Sequence, residues 1–217
     1  MSIRIIACAT VIEEMLPFMP AGVTHEVLDF GLHVRPEELK KSLQSAIDTA
    51  DGMSEKIILG YGLCSQAVVG LRSKTSTLIV PKVDDCIAIF LGSATAYRRQ
   101  HDVEPGTYYL TKGWIEASDS PFDEYDNLLK KYGDNIARRI MGQIIKNYKR
   151  LALINTGQFE IEYYRSHTRD TAKRFNLLYE EIPGSTSFVR KILSGPWDED
   201  FVVASPGKTI SFIDFKK

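Results

Sequence analysis

Short β-branched runs separated by longer amphipathic stretches constrain this chain most. Residues 3–7, 26–30, 56–59, 77–80 and 107–110 read as strands, and so do 151–155, 177–182, 201–204 and 210–215. Pro36 opens a helix that presents Leu39, Leu43, Ala46 and Ile47 on one face, at spacings of three and four. A short helix is expected over 87–97 and others over 159–175 and 188–193. A long one is expected over 121–148, where Tyr125, Leu128, Leu129, Ile136, Ile140 and Ile144 recur at helical spacing and Gly133 is a point of interruption. Strand–helix alternation of this kind predicts an α/β fold with mainly parallel sheets. We read two Rossmann-like lobes: 1–120, which holds all the cysteines, and 121–217, which holds the long connecting helix and a second strand–helix series.

The 217 residues include 27 basic and 28 acidic side chains, a formal net charge of -1. That balance argues against a nucleic-acid partner, which would call for a basic excess. No apolar run approaches the roughly 18 residues of a membrane span. The apolar stretch at the N-terminus is too short for a secretory signal and reads as the first strand, so a cytoplasmic protein with no membrane partner is expected.

There are three cysteines, Cys8, Cys64 and Cys86. An odd count without an export signal argues against a disulfide framework. Each cysteine falls just past a predicted strand, and His33 falls just past another. In a parallel sheet all four positions share the carboxyl edge, where open α/β sheets place their ligands. Thiolates with an imidazole suit zinc, and thiolates alone suit an iron–sulfur cluster. Three small buried hydrophobes, or a single reactive thiol, are the plainer readings of the same residues. Thiolates sharing one zinc ion would stand roughly 3.5–4 Å apart, given Zn–S bonds of about 2.3 Å. The loop 60–65 carries two glycines around Tyr61, as a sharp turn or close approach to a ligand requires. Asp85 precedes Cys86 and reads either as a helix cap or as an acceptor orienting a metal-bound group.

Several motifs fail on inspection. Gly60-Tyr61-Gly62 begins like a dinucleotide fingerprint, but Ser65 stands where the last glycine is needed. Gly207-Lys208-Thr209 resembles the end of a P-loop, but Val202 stands where the first glycine is needed. The four histidines form no metalloprotease pattern, and there is no GxSxG elbow. Thr156-Gly157-Gln158 and Gly184-Ser185-Thr186 follow strands, so their amides suit either an anionic ligand or simple helix capping. Lys112 and Trp114 follow the strand at 107–110, where they suit either a cation and aromatic wall for an anionic substrate or ordinary packing under a loop.

The segments 61–65 (Tyr-Gly-Leu-Cys-Ser), 84–87 (Asp-Asp-Cys-Ile), 91–93 (Leu-Gly-Ser) and 105–116, with Trp197-Asp198 and Ser205-Pro206-Gly207 further on, carry a resemblance. Together they resemble the family of domains of unknown function numbered 1638, over nearly the whole chain. The resemblance implies a setting in anaerobic one-carbon metabolism, near corrinoid-dependent methyltransferases. The expected function is that of a Cys-ligated zinc protein that activates a thiol to accept a methyl group. Cys8, Cys64 and Cys86 would be ligands, with the fourth position open or held by His33. Asp85 and Lys112 are the candidate catalytic groups, and Tyr61, Trp114, Thr156, Gly157 and Ser185 the candidate binding groups for a small anionic or thiol substrate. The alternative is an accessory protein that holds a metal, an iron–sulfur cluster or a corrinoid for a methyltransferase partner. On the enzymatic reading Thr156 or Ser185 is expected to line a cleft facing the cysteine rim, with Lys112 or Trp114, near the same carboxyl edge as the cysteines, on the other side.

Overall fold

A computed structural model describes residues 2–117 and 120–216, and of Ser65 the backbone alone. Contacts divide the chain into two units, Met1–Ala96 with Ser185–Lys217, and Tyr97–Gly184.

The first unit is built on a sheet of β1 (Ile3–Cys8), β2 (Thr24–Leu28), β3 (Lys56–Leu59), β4 (Thr77–Pro81) and β8 (Phe201–Ala204), in the order β2-β1-β3-β4-β8. The first four run parallel, and β8 closes the edge antiparallel to β4. In register, Ile5 stands opposite His25 and Ile58, and Ile58 opposite Ile79. Ile5, Ile6, Ile57, Ile58, Leu59, Ile79 and Val80 have no exposed surface. Central parallel strands covered on both faces need such unbroken aliphatic runs. Helix α1 (Ala9–Met15) follows β1 without a loop, and α2 (Pro36–Ala50) buries Leu39, Leu43, Ala46 and Ile47, the face read from the sequence. Helix α3 (Ile87–Leu91) ends at Gly92, whose φ of +90° breaks the helix expected over 87–97; α4 (Ala94–Val103) follows and belongs from Tyr97 onward to the second unit. Helix α9 (Ser187–Ser194) packs against α1 and α3.

The second unit is built on a parallel sheet in the order β5 (Thr107–Leu110), β6 (Arg150–Asn155), β7 (Leu178–Pro183). Its helices are α5 (Lys112–Ala117), α6 (Pro121–Tyr132), α7 (Asp134–Ile145) and α8 (Glu162–Arg174). Leu110, Ile115, Phe122, Leu151, Leu153, Tyr164 and Ala172 form one core cluster.

The α/β class and the mainly parallel sheets are as the sequence predicts, but the arrangement differs in three places. The helix expected to join two lobes is a pair, α6 and α7, inside the second unit, where Tyr125, Ala137 and Met141 share a core. Gly133 separates them with a φ of +74°, a backbone that other residues adopt only under strain. The chain divides at Ala96 and at Gly184 rather than at residue 120, because β5 pairs with β6 while β8 returns to β4. Residues 210–215 form no strand. A 3-10 turn, Phe212–Phe215, stands there because the Ser211 amide and hydroxyl both donate to the Asp214 carboxylate.

Two polar anchors hold these units. At the end of α2, Asp51 accepts bonds from the Ser73 hydroxyl (2.7 Å), the Thr75 hydroxyl (2.6 Å) and the amides of Lys74 (2.8 Å), Thr75 (3.0 Å) and Ser76 (3.1 Å). Burial pushes its carboxyl pKa up, but these donors outweigh it and hold the group below the usual carboxylate range. In the second unit, Arg150 is 1% exposed. It donates to the Thr107 hydroxyl (2.8 Å), the Glu180 carboxylate (2.6 Å) and the Gln100 carbonyl (3.3 Å).

Because the folded-state pKa of Asp51 is depressed, its stabilisation is fully present above the unfolded value of about 4 and is lost as pH falls through the folded value. Asp51→Asn should therefore flatten the acid side of the stability profile and cost about 1 kcal/mol at neutral pH, a figure kept low for a partly solvated group. Denaturant unfolding at stepped pH measures both. Arg150→Met should cost about 2–4 kcal/mol by leaving several partners unpaired. Arg150→Lys should recover little, since one ammonium cannot span the fork's partners; urea unfolding reads this directly.

Candidate functional site

The parallel pairing sets where the first unit's chain exits lie. Cys8 is the last residue of β1. His33, Cys64 and Cys86 each stand five residues past the ends of β2, β3 and β4, at Leu28, Leu59 and Pro81. All four therefore leave adjacent strands at one edge.

Two close approaches draw the cysteine loops together. A side-chain carbon on Gly60 would meet the Ala7 Cβ at 2.6 Å, and one on Gly62 would meet the Val83 carbonyl oxygen at 2.6 Å and the Asp85 amide at 3.0 Å. Glycine is thus required at 62 by the neighbouring backbone. Beyond it, the Leu63 amide donates to the Val83 carbonyl (2.8 Å) and the Cys64 amide to the Asp84 carbonyl (3.0 Å), which fixes the Cys64 loop on the Cys86 loop. Cys64 itself has a φ of +39° and Gln66 a φ of +67°. Such strained backbone gathers where a fold over-determines a working residue.

The resulting cluster is buried. Cys8, Cys64 and Cys86 are 1%, 9% and 5% exposed, and Tyr61 is 1% exposed. The His33 Nδ1 lies 2.8 Å from the Phe30 carbonyl oxygen. A carbonyl only accepts, so Nδ1 carries the proton and Nε2 is the atom left for a partner. Among the described residues neither His33 Nε2 nor the Tyr61 hydroxyl makes a formed hydrogen bond, although the Cys64 and Cys8 sulfurs stand close enough to act on the His33 ring. Burial opposes charge on the His33 ring, but the Cys64 and Cys8 sulfurs and the Phe30 carbonyl outweigh it, and its pKa is raised to about 10. Burial also opposes charge on Cys8. There the His33 ring, the Thr10 hydroxyl and the Val11 amide prevail and lower the thiol's pKa. Cys86 goes the other way, because burial and then the sulfurs of Cys64 and Cys8 and the carboxylate of Asp85 push its thiol well up. Without a metal the cluster therefore favours a Cys8 thiolate against a His33 imidazolium, with Cys86 neutral.

Thr10 is the site residue that sequence reading missed. Its hydroxyl stands 3.1 Å from the Cys8 sulfur and it is 3% exposed. The signal was its position two residues past Cys8, which has meaning only once α1 is known to begin there.

The remaining candidates are placed as follows. Asp85 accepts from the Ile87 amide (2.9 Å), a cap at the start of α3. Lys112 pairs with Glu116 (2.8 Å), and Trp114 packs on the apolar core of the second unit. Neither follows a strand of the cysteine-bearing sheet, because β5 pairs with β6. Thr156 and Gly157 follow β6, but α8 begins only at Glu162, so they start no helix. The Gly157 amide instead donates to the Asn155 side chain (2.9 Å) in a local turn. Ser185 belongs to the first unit, where its amide donates to the Phe90 carbonyl (2.8 Å) and its hydroxyl lies 2.9 Å from that of Ser187. Beside it, a cavity of about 130 Å³ is lined by Lys82, Ser93, Ser187, Lys191 and Asp200 among others. Lys191 is paired there with Asp198 and Asp200.

Among the described residues, no three His, Cys, Asp or Glu side chains are already gathered as a metal-ligand group. The chemistry of the donor set nevertheless fits a soft ion, with three thiols, one imidazole oriented through Nδ1, and an Nε2 without a partner.

The sequence profile of one family, described as "Protein of unknown function (DUF1638)", matches residues 27–193 of the 217. His33, Cys64 and Cys86 lie inside the matched stretch; Cys8, Trp197 and Ser205–Gly207 lie outside it. Comparisons with curated proteins and with solved structures found no match.

The contact at Gly62 makes a test of the site's architecture. Gly62→Ala should cost about 1–3 kcal/mol, because the added carbon meets backbone that cannot turn aside. It should also speed the reaction of the buried thiols with an aromatic disulfide reagent, followed by absorbance. Unchanged thiol reactivity would mean that this approach does not hold the cluster shut.

Proposed function

The chain belongs to the DUF1638 family, and we propose that it is a metal-binding protein whose centre is the cluster of Cys8, Cys64, Cys86 and His33. One observation carries this reading: three thiols and an imidazole leave four adjacent parallel strands at one buried edge, and the imidazole Nε2 makes no hydrogen bond among the described residues. Zinc is the ion that this donor set favours, and when bound it supplies Lewis-acid chemistry that lowers the pKa of a thiol.

The protein's own residues would do the rest. The Phe30 carbonyl orients the His33 ring, the Thr10 hydroxyl steadies the Cys8 sulfur, and the Gly62–Val83 approach holds Cys64 beside Cys86. In the finer form of the proposal the substrate is a small thiol that accepts a methyl group. Its proton passes to solvent, a sulfur–carbon bond forms, and the bond between the methyl group and its donor breaks with the pair left on the donor. A corrinoid protein or corrinoid-dependent methyltransferase, the setting implied by the family resemblance, is the corresponding partner.

A second reading, in which the cluster holds a metal, an iron–sulfur cluster or a corrinoid for such a partner without chemistry of its own, is favoured by burial. Cys8 and Cys86, at 1% and 5% exposed, leave little surface for a substrate to reach.

Protein purified without oxygen should be colourless and contain about one zinc ion per chain by elemental analysis. Brown protein with a broad visible absorption band would favour an iron–sulfur cluster. Cys64→Ser and Cys86→Ser should each abolish bound metal while keeping the circular dichroism of the fold, since the aliphatic strands carry the core. Equal metal content in wild type and both variants would sink the ligand assignment.

A further inference from the structure

Tyr61 holds a buried hydrogen-bond donor. The residue is 1% exposed, and its hydroxyl makes no hydrogen bond among the described residues. Its ring lies 5.9 Å from the ring of His33, with 31° between the planes. Burial, and then the sulfurs of Cys8, Cys64 and Cys86, push its pKa up. Its neighbours on both sides are held close, Gly60 against Ala7 and Gly62 against Val83. A phenylalanine would fill the same space without burying an unmet polar group. The hydroxyl therefore has no structural reason that the fold itself supplies.

Building on the reading of the cluster as a metal centre, we propose that the Tyr61 hydroxyl is the substrate-binding donor for the sulfur of a small thiol, held as thiolate at the cluster. Two features select that class. A carboxylate or phosphate needs several donors; with the His33 Nε2 on the metal and the Thr10 hydroxyl engaged with Cys8, the Tyr61 hydroxyl remains among the described hydroxyls, while the Asp85 carboxylate accepts only and repels a hard anion. A sulfur-rich, buried wall also favours a soft, weakly hydrated anion over a hard one that would lose more hydration on entry.

The test uses the full chain loaded with cobalt(II), whose visible bands report the ligands, and titrated with ethanethiol or with acetate. Wild type should shift its bands with ethanethiol and not with acetate. Tyr61→Phe should keep the same cobalt content and the same thiolate-to-cobalt bands, and should bind ethanethiol about tenfold more weakly. The metal-free variant should unfold at the wild-type temperature or above, because an unmet donor has been removed. Equal ethanethiol affinity in a variant that loads cobalt normally would overturn the role of Tyr61 and leave the metal centre standing. A lower unfolding temperature of the metal-free variant would show that the hydroxyl has a structural partner and would overturn it too. A shift with acetate as large as that with ethanethiol would overturn the choice of thiol. A wild type that takes up no cobalt would overturn the metal centre and this inference with it.

Discussion

Parallel pairing around β1 is the constraint from which the rest of the first unit follows. β1 takes β2 on one side and β3 on the other, and β3 takes β4, all in the same direction. Parallel ladders force every chain exit to the same edge and cover both faces of the sheet with helices. The aliphatic runs of β3 and β4 answer the second requirement. The placement of Cys8, His33, Cys64 and Cys86 follows from the first, with no need for these residues to be near one another in sequence. Glycines at 60 and 62 then let the loops approach more closely than any side chain would permit.

Electrostatics at that edge is a balance struck within a dry space. Three buried thiols could not all ionise side by side, since like charges raise one another's pKa. The cluster resolves this unevenly: Cys8 is favoured as thiolate by the His33 ring, while Cys86 is held neutral by its surroundings. An imidazole whose Nδ1 is tied to the Phe30 carbonyl has one direction left, and that direction is the thiols. The same fixed ring suits either an ion pair or, once deprotonated, a metal ion, because both need Nε2 to stay put.

The second unit shows by contrast what structural burial of a polar group looks like. Arg150 is as deeply buried as Tyr61, yet it meets Thr107, Glu180 and Gln100. Buried polar groups in stable folds are satisfied, and those that are not call for a reason. In the thiol cluster, the His33 Nε2 and the Tyr61 hydroxyl both lack a hydrogen bond among the described residues. That difference, more than residue type, separates a framework anchor from a candidate site.

Local pattern in the sequence determined the α/β class, the extents of β3, β5 and β8, and the buried face of α2, because residue alternation and helical spacing act within a few residues. It also placed Cys64 and Cys86 beyond strands, and Cys8 just past a strand of which it is in fact the last residue. The start of α1 was hidden because Thr10, Val11 and Ile12 carry a strand former's branching, and burial overrode that preference. Thr10 was hidden along with it. The assignment of Lys112 and Trp114 to the cysteine edge rested on β5 joining the first sheet. Only strand pairing, a contact between residues far apart in the chain, put β5 on β6 and returned β8 to β4. Tertiary structure likewise decided which polar atoms found partners, since a tyrosine reads the same in a sequence whether or not an acceptor waits across the fold.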